Sequence, residues 1–213
     1  MKRFFRLSRV SAAAVVLAGA ALPAVAQELT TNGDFENGTT SGWTSFVNPP
    51  STFTTTADAS DGLFGGFINN VTPGSGQVIK QANIGIGVVN PGDVLNVSFD
   101  AKGEFGVGGV AFAEFFSEVS GGGTSKAEIL SGGPLPLTDT FQTFMYTVTA
   151  GPDVSGGVTL QFNAATGAVA GSFAQLTIDN VSVSAGPVPE PASLALLGLG
   201  GLCLATRRGR RTA

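Results

Sequence analysis

The sequence predicts an all-β sandwich. Three observations point there. Short runs rich in Val, Ile, Phe and Thr alternate apolar with polar residues at a period of two. Turn formers such as Asn90-Pro91-Gly92-Asp93, Gly121-Gly122-Gly123 and Ser131-Gly132-Gly133-Pro134 punctuate those runs. Between Glu28 and Ala185 no stretch sustains a helical repeat.

In chain order, the first segment is not part of that sandwich. Lys2, Arg3, Arg6 and Arg9 precede an apolar stretch from Val10 to Leu22, and Ala24-Val25-Ala26 follows as a small-x-small site. This layout predicts a helical secretory signal peptide over residues 1–26, removed by signal peptidase after Ala26, with Ala24 and Ala26 as the recognised side chains. The apolar stretch falls well short of the ~20 residues that a retained span requires.

The body, residues 27–186, then reads as one domain of strands. In VLNVSFDA, Leu95, Val97, Phe99 and Ala101 share a face opposite Asn96, Ser98 and Asp100. Val107 to Val119 is less regular because Phe115-Phe116 breaks the alternation; a strand buried on both sides would explain it. In FQTFMYTVT, Phe144, Tyr146 and Val148 oppose Thr143, Thr147 and Thr149; in VTLQFN, Val158, Leu160 and Phe162 oppose Thr159, Gln161 and Asn163. Near the end, Leu176 and Ile178 lie in one phase and Val181 and Val183 in the other. The flip at Asp179-Asn180 predicts a bulge or a change of sheet.

Charge and composition limit the function classes. Of the eleven basic residues, four sit in the leader and four in the tail, leaving Lys80, Lys102 and Lys126 in the body against fourteen acidic residues, a formal charge of −11. Such a body repels phosphate backbones, which excludes nucleic acid as a partner. With no histidine in the chain there is no Ser-His or Cys-His nucleophile pair and no His-built zinc site. A glycosidase needs only two carboxylates, but no spacing singles out a pair, and the chain reads as a non-enzyme. The sole cysteine, Cys203, lies in the tail, so packing must hold the body together.

Three segments carry a resemblance. ELTTNGDFENGTTSGWTSF, NPGDVLNVSFDAKG and FAQLTIDNVSVS occur in the order and cadence of the jelly-roll carbohydrate-binding modules, the galactose-binding-like sandwiches. The resemblance implies a jelly roll of eight or so strands. Many such modules hold a structural calcium with oxygens from the first and last strands; carried over, Glu36 and Asp179 are the candidate ligands, joined by Asp34. The alternative is that these carboxylates cap turns or face water. The same modules stack aromatic rings on sugars, which makes Trp43 and Tyr146 candidate ligand-binding residues for an extracellular polysaccharide. The alternative for both is a place in the core.

The chain ends on VPEPASLALLGLGGLCLATRRGRR and two further residues. The apolar run from Ala192 to Ala205 would reach only about 21 Å as a helix, short of a bilayer core of roughly 30 Å. Arg207, Arg208, Arg210 and Arg211 would hold its end on the cytoplasmic side. Pro189 and Pro191 keep the knuckle extended and open to a protease. Knuckle, oily run and arginines in this order resemble the PEP-CTERM sorting signal of Gram-negative bacteria, expected over residues 187–213. The resemblance implies recognition of Pro189, Glu190 and Pro191 by an exosortase. It further implies transient anchoring in the inner membrane and release to the cell surface or the polysaccharide outside. The expected role is that of a non-catalytic envelope or biofilm-matrix protein associated with exopolysaccharide; the alternatives are a purely structural surface protein without a small ligand and a weak carbohydrate-active hydrolase.

Overall fold

The computed structural model describes residues 26–186. In chain order its strands are β1 (Gln27–Glu28), β2 (Thr44–Phe46), β3 (Thr52–Thr56), β4 (Gly65–Asn70), β5 (Gly76–Ile84), β6 (Val94–Phe105), β7 (Val110–Glu118), β8 (Thr124–Ile129), β9 (Gln142–Thr149), β10 (Val158–Ala165) and β11 (Ala174–Ala185). One sheet runs β3-β4-β11-β6-β9, with β1 added beside β11; the other runs β2-β5-β10-β7-β8. Only the β3–β4 and β7–β8 connections stay within a sheet, so the chain wraps back and forth across the core as a jelly roll does. Every pairing is antiparallel. The described residues contain no helix. Both terminal helices expected from the sequence lie outside them, as do Ala24, Pro189, Glu190, Pro191, Arg207, Arg208, Arg210 and Arg211.

Strand phase follows the sequence pattern. Leu95, Val97, Phe99 and Ala101 of β6 face inward, as do Val158, Leu160 and Phe162 of β10. The two sheets meet where Phe99 and Phe162 pack edge to face, with ring centroids 4.9 Å apart. From there the rings continue to Phe144, stacked 5.3 Å from Phe99, and to Trp43, 6.1 Å from Phe162. The expectation for Val107 to Val119 needs correcting. Strand β7 is buried on one side only, through Ala111, Ala113, Phe115 and Ser117, while Phe112, Glu114 and Phe116 lie on the outer face. Small alanines on the inside leave room for the rings of the facing sheet.

The first loop and the last strand are built for each other. Phe35 has φ 55°, a left-handed conformation that costs a bulky residue about 1–2 kcal/mol. Its ring repays this by full burial, stacked 5.6 Å from Trp43 and against Gly66, where any Cβ would lie 2.4 Å from the ring. Gly33 accepts the Val181 amide through its carbonyl at 2.9 Å, and a Cβ on Gly33 would strike the Val181 oxygen at 1.9 Å. The Asn-Gly-Asp-Phe-Glu run is thus a docking piece.

The phase flip in β11 is a bulge. Asp179 pairs with Asp100 and Ser182 with Ser98, so Asn180 and Val181 together oppose the single residue Phe99. Asn180 takes φ 48°, which asparagine tolerates. The bulge keeps Val181 and Val183 inside after Ile178. Asp100 beside it accepts from Ser60 Oγ (2.7 Å), Asn180 Nδ2 (3.0 Å) and Thr143 Oγ1 (2.5 Å). Burial pushes its carboxyl up, but the hydrogen bonds from Asn180, Thr143 and Ser60 outweigh that and hold it below its ordinary value of 3.8. Glu28 behaves alike: burial raises it, and hydrogen bonds from Ser182, Thr30 and Val183 together lower it further.

Two outcomes are expected. Phe162→Ala should destabilise the sandwich by about 3–5 kcal/mol in chemical denaturation, since it empties the contact between the sheets. Asp100 and Glu28, depressed in the folded state, contribute stability that is complete above their ordinary values and lost as pH falls through the folded ones. Denaturation midpoints should therefore drop below about pH 4, and Asp100→Asn should flatten part of that drop, leaving the share due to Glu28.

Candidate functional site

Trp43 lies in the interior, and Tyr146 is half-buried at the edge of the core. Trp43 is 8% exposed, packed on Phe35 and Phe162, and its Nε1 donates to the Asn32 carbonyl at 3.1 Å. Tyr146 lies on the inner side of β9, its ring 6.1 Å from that of Phe99, and loss of hydration raises its phenol above the usual value of 10.0. Trp43 presents no ring face to a ligand.

Two of the three acidic candidates, Glu36 and Asp179, turn out to be clamps on one loop. Glu36 Oε1 accepts the amides of Leu63 (2.8 Å) and Phe64 (2.9 Å). Asp179, 1% exposed, accepts Ser60 N (2.9 Å), Asp61 N (3.2 Å) and Ser60 Oγ (3.2 Å) on Oδ2, and Asn180 N (2.8 Å) on Oδ1. Asp34 Oδ1 faces the Glu36 amide at 3.4 Å. Residues 57–64, which join β3 to β4, are thereby held at two points by backbone N–H donors. Calcium needs six to eight oxygens, and these carboxylates are turned toward hydrogens instead. Among the described residues no three ligating side chains converge. The arrangement fits turn capping and does not fit a calcium cradle.

The outer face of the five-stranded sheet gathers aromatic rings and polar groups in cross-strand rows. Register sets Phe46, Val78, Asn163 and Phe112 in one cross-strand row. Lys80, Gln161, Glu114 and Ile129 form the next. Phe116, paired with Thr159, adds a third ring on the same side. Phe46 is 54% exposed and Lys80 Nζ stands 5.2 Å above its ring. Gln161 Nε2 donates to Glu114 Oε2 at 2.7 Å, which orients an amide and a carboxylate in mid-sheet. Asn163 Oδ1 is shut off from water and accepts no hydrogen bond among the described residues. Partly exposed rings beside fixed amide, carboxylate and ammonium groups suit a ligand with apolar ring faces and many hydroxyls.

None of these rings is a Trp or Tyr, the residue types that mark a sugar platform in a sequence. The signal was present in Phe115-Phe116: one ring belongs to the core and its neighbour must face out.

Residues 187–211 match the family model described as the PEP-CTERM protein-sorting motif. No curated protein matches the chain. The CBM22-1 xylan-binding domain of Paenibacillus barcinonensis Xyn10C is similar over 80% of this chain and 100% of its own, at 16% identity and TM-score 0.55. The C-terminal family 22 carbohydrate binding module of Clostridium thermocellum Xyn10B is similar over 77% and 95%, at 16% identity and TM-score 0.50. The enzymatically active domain of tailspike protein 4 from bacteriophage CBA120 aligns with 75% of this chain, at 18% identity and TM-score 0.59, but this chain spans only 21% of it. The described body therefore has the jelly-roll sandwich fold of carbohydrate-binding modules, ahead of a PEP-CTERM sorting motif.

Proposed function

We propose that this chain is an exported module, processed by an exosortase at its C-terminal sorting motif, whose sandwich associates with polysaccharide without catalysing a reaction. The observation that carries the reading is the succession on one chain of a body folded like xylan-binding modules and a match to a sorting motif at residues 187–211. Export begins with signal peptidase at Ala24-Val25-Ala26, continues through brief anchoring in the inner membrane, and ends with scission near Pro189, Glu190 and Pro191. The freed body reaches the cell surface or the extracellular matrix.

The outer face of the five-stranded sheet is the polysaccharide surface in this reading. Phe46, Phe112 and Phe116 offer ring faces to pyranose C–H groups. Gln161, Glu114 and Lys80 address the hydroxyls. The absence of histidine supports a binding role over acyl or metal-assisted hydrolysis.

Mass analysis of the protein released by its native host should find a species lacking both the leader and the arginine-rich tail. An intact chain of 213 residues outside the cells would contradict the sorting half of the proposal. Phe112→Ala should lower retention on neutral β-glycans by roughly two- to tenfold, the worth of one stacked ring, while leaving thermal stability nearly unchanged. Equal retention of wild type and variant would contradict the binding half.

A further inference from the structure

The opposite face of the sandwich holds a second, differently charged site. Phe67 of β4, Thr177 of β11 and Lys102 of β6 form one cross-strand row on the outer side of the six-stranded sheet, and Gln175 pairs with Glu104 in the next. The β3–β4 connection brings Asp58, and the β8–β9 connection Asp139, to the walls of a cavity of about 220 Å³ above these residues. Lys102 is already engaged: its Nζ lies 2.5 Å from Asp58 Oδ2 and 4.9 Å above the Phe141 ring. Thr177 lines the floor at 5% exposure, and its hydroxyl has no hydrogen-bond partner among the described residues. Facing the cavity, that hydroxyl is free to bond a group that enters.

Charge selects the visitor. Asp58, Glu104 and Asp139 surround the single ammonium of Lys102, so the cavity is net negative and its free polar groups are mainly acceptors. Uronates, phosphates and sulfates are repelled. A ligand with a cationic donor, several hydroxyls and an apolar ring face satisfies every group present. We propose that this cavity binds an amine-bearing sugar of the glucosamine class, its ammonium against Glu104 and Asp139, a hydroxyl on Thr177 and its ring against Phe67. The site does not depend on the five-stranded face. If both faces are occupied, the module bridges two glycan chains of different charge.

The test is calorimetric titration of the full-length protein with a glucosamine trimer, beside the N-acetylated trimer and a galacturonate trimer. The glucosamine trimer should bind and weaken as salt is raised, the acetylated trimer should bind about tenfold less tightly for want of one charge-assisted contact, and the uronate should not bind. Thr177→Val and Glu104→Gln should each weaken glucosamine binding several-fold, while Glu118→Gln, an equal loss of charge on β7, should not. Equal affinity for acetylated and free amines would overturn the proposal, as would equal effects of Glu104→Gln and Glu118→Gln, which indicate diffuse attraction to an acidic body. No binding of the glucosamine trimer would also overturn it. Retention of neutral β-glycan by Glu104→Gln protein reports the other face separately, so the two readings fail independently.

Discussion

Strand β11 carries the structure, and the constraint on it is the bulge at Asp179–Val181. One edge of β11 pairs with β4 over Ala174–Ile178 and with β1 at Ser184–Ala185, while the other edge pairs with β6 throughout. A strand with period-two side chains cannot serve these partners and keep its apolar residues inside unless it gains a residue midway. Without that extra residue Val181 and Val183 would turn to the outside. The gap along the edge is closed by the first loop, where Leu29 N donates to Val183 O (2.8 Å) and Val181 N to Gly33 O (2.9 Å).

The bulge also explains why an outward-facing aspartate is buried. Asp179 lies on the outer side of its sheet, yet the loop over residues 57–64 folds back upon it because its carboxylate accepts the loop amides. Glu36 holds the same loop from the opposite end. Amide-to-carboxylate bonds are charge-assisted and stronger than neutral ones, so two acidic residues fix a segment that has no strand pairing of its own. That segment is one wall of the cavity over Thr177, which links backbone geometry in β11 to the shape of that cavity. The sandwich closes without a disulfide, on a ladder of rings from Phe35 through Trp43 and Phe162 to Phe99.

Strand phases were legible because one-sided burial writes itself as alternation, and Leu95, Val97 and Phe99 kept their predicted side. So was the bulge, since Ile178 and Val181 are both apolar and only an irregular backbone can bury both. The acidic trio was ambiguous for a physical reason: a carboxylate that clamps amides and one that binds calcium look alike in sequence, and only the direction of nearby N–H groups separates them. The outward rings were hidden because β7 places alanines inside and phenylalanines on both sides, so hydrophobicity alone could not tell which rings are exposed. Lys102 and Thr177 meet Asp58 and Asp139 through loops whose paths no local pattern encodes.

The most direct measurement is native-state hydrogen exchange at the amides of Ser60 and Asp61 in wild-type and Asp179→Ala protein. The account predicts slow exchange at both positions in the wild type. In the variant these amides should exchange fast while those of β6 and β10 stay protected, because the clamp is lost and the ring-packed interior is not. Fast exchange at Ser60 and Asp61 in the wild type, or unchanged protection in the variant, would contradict the claim that the bulge carboxylate holds the outer loop.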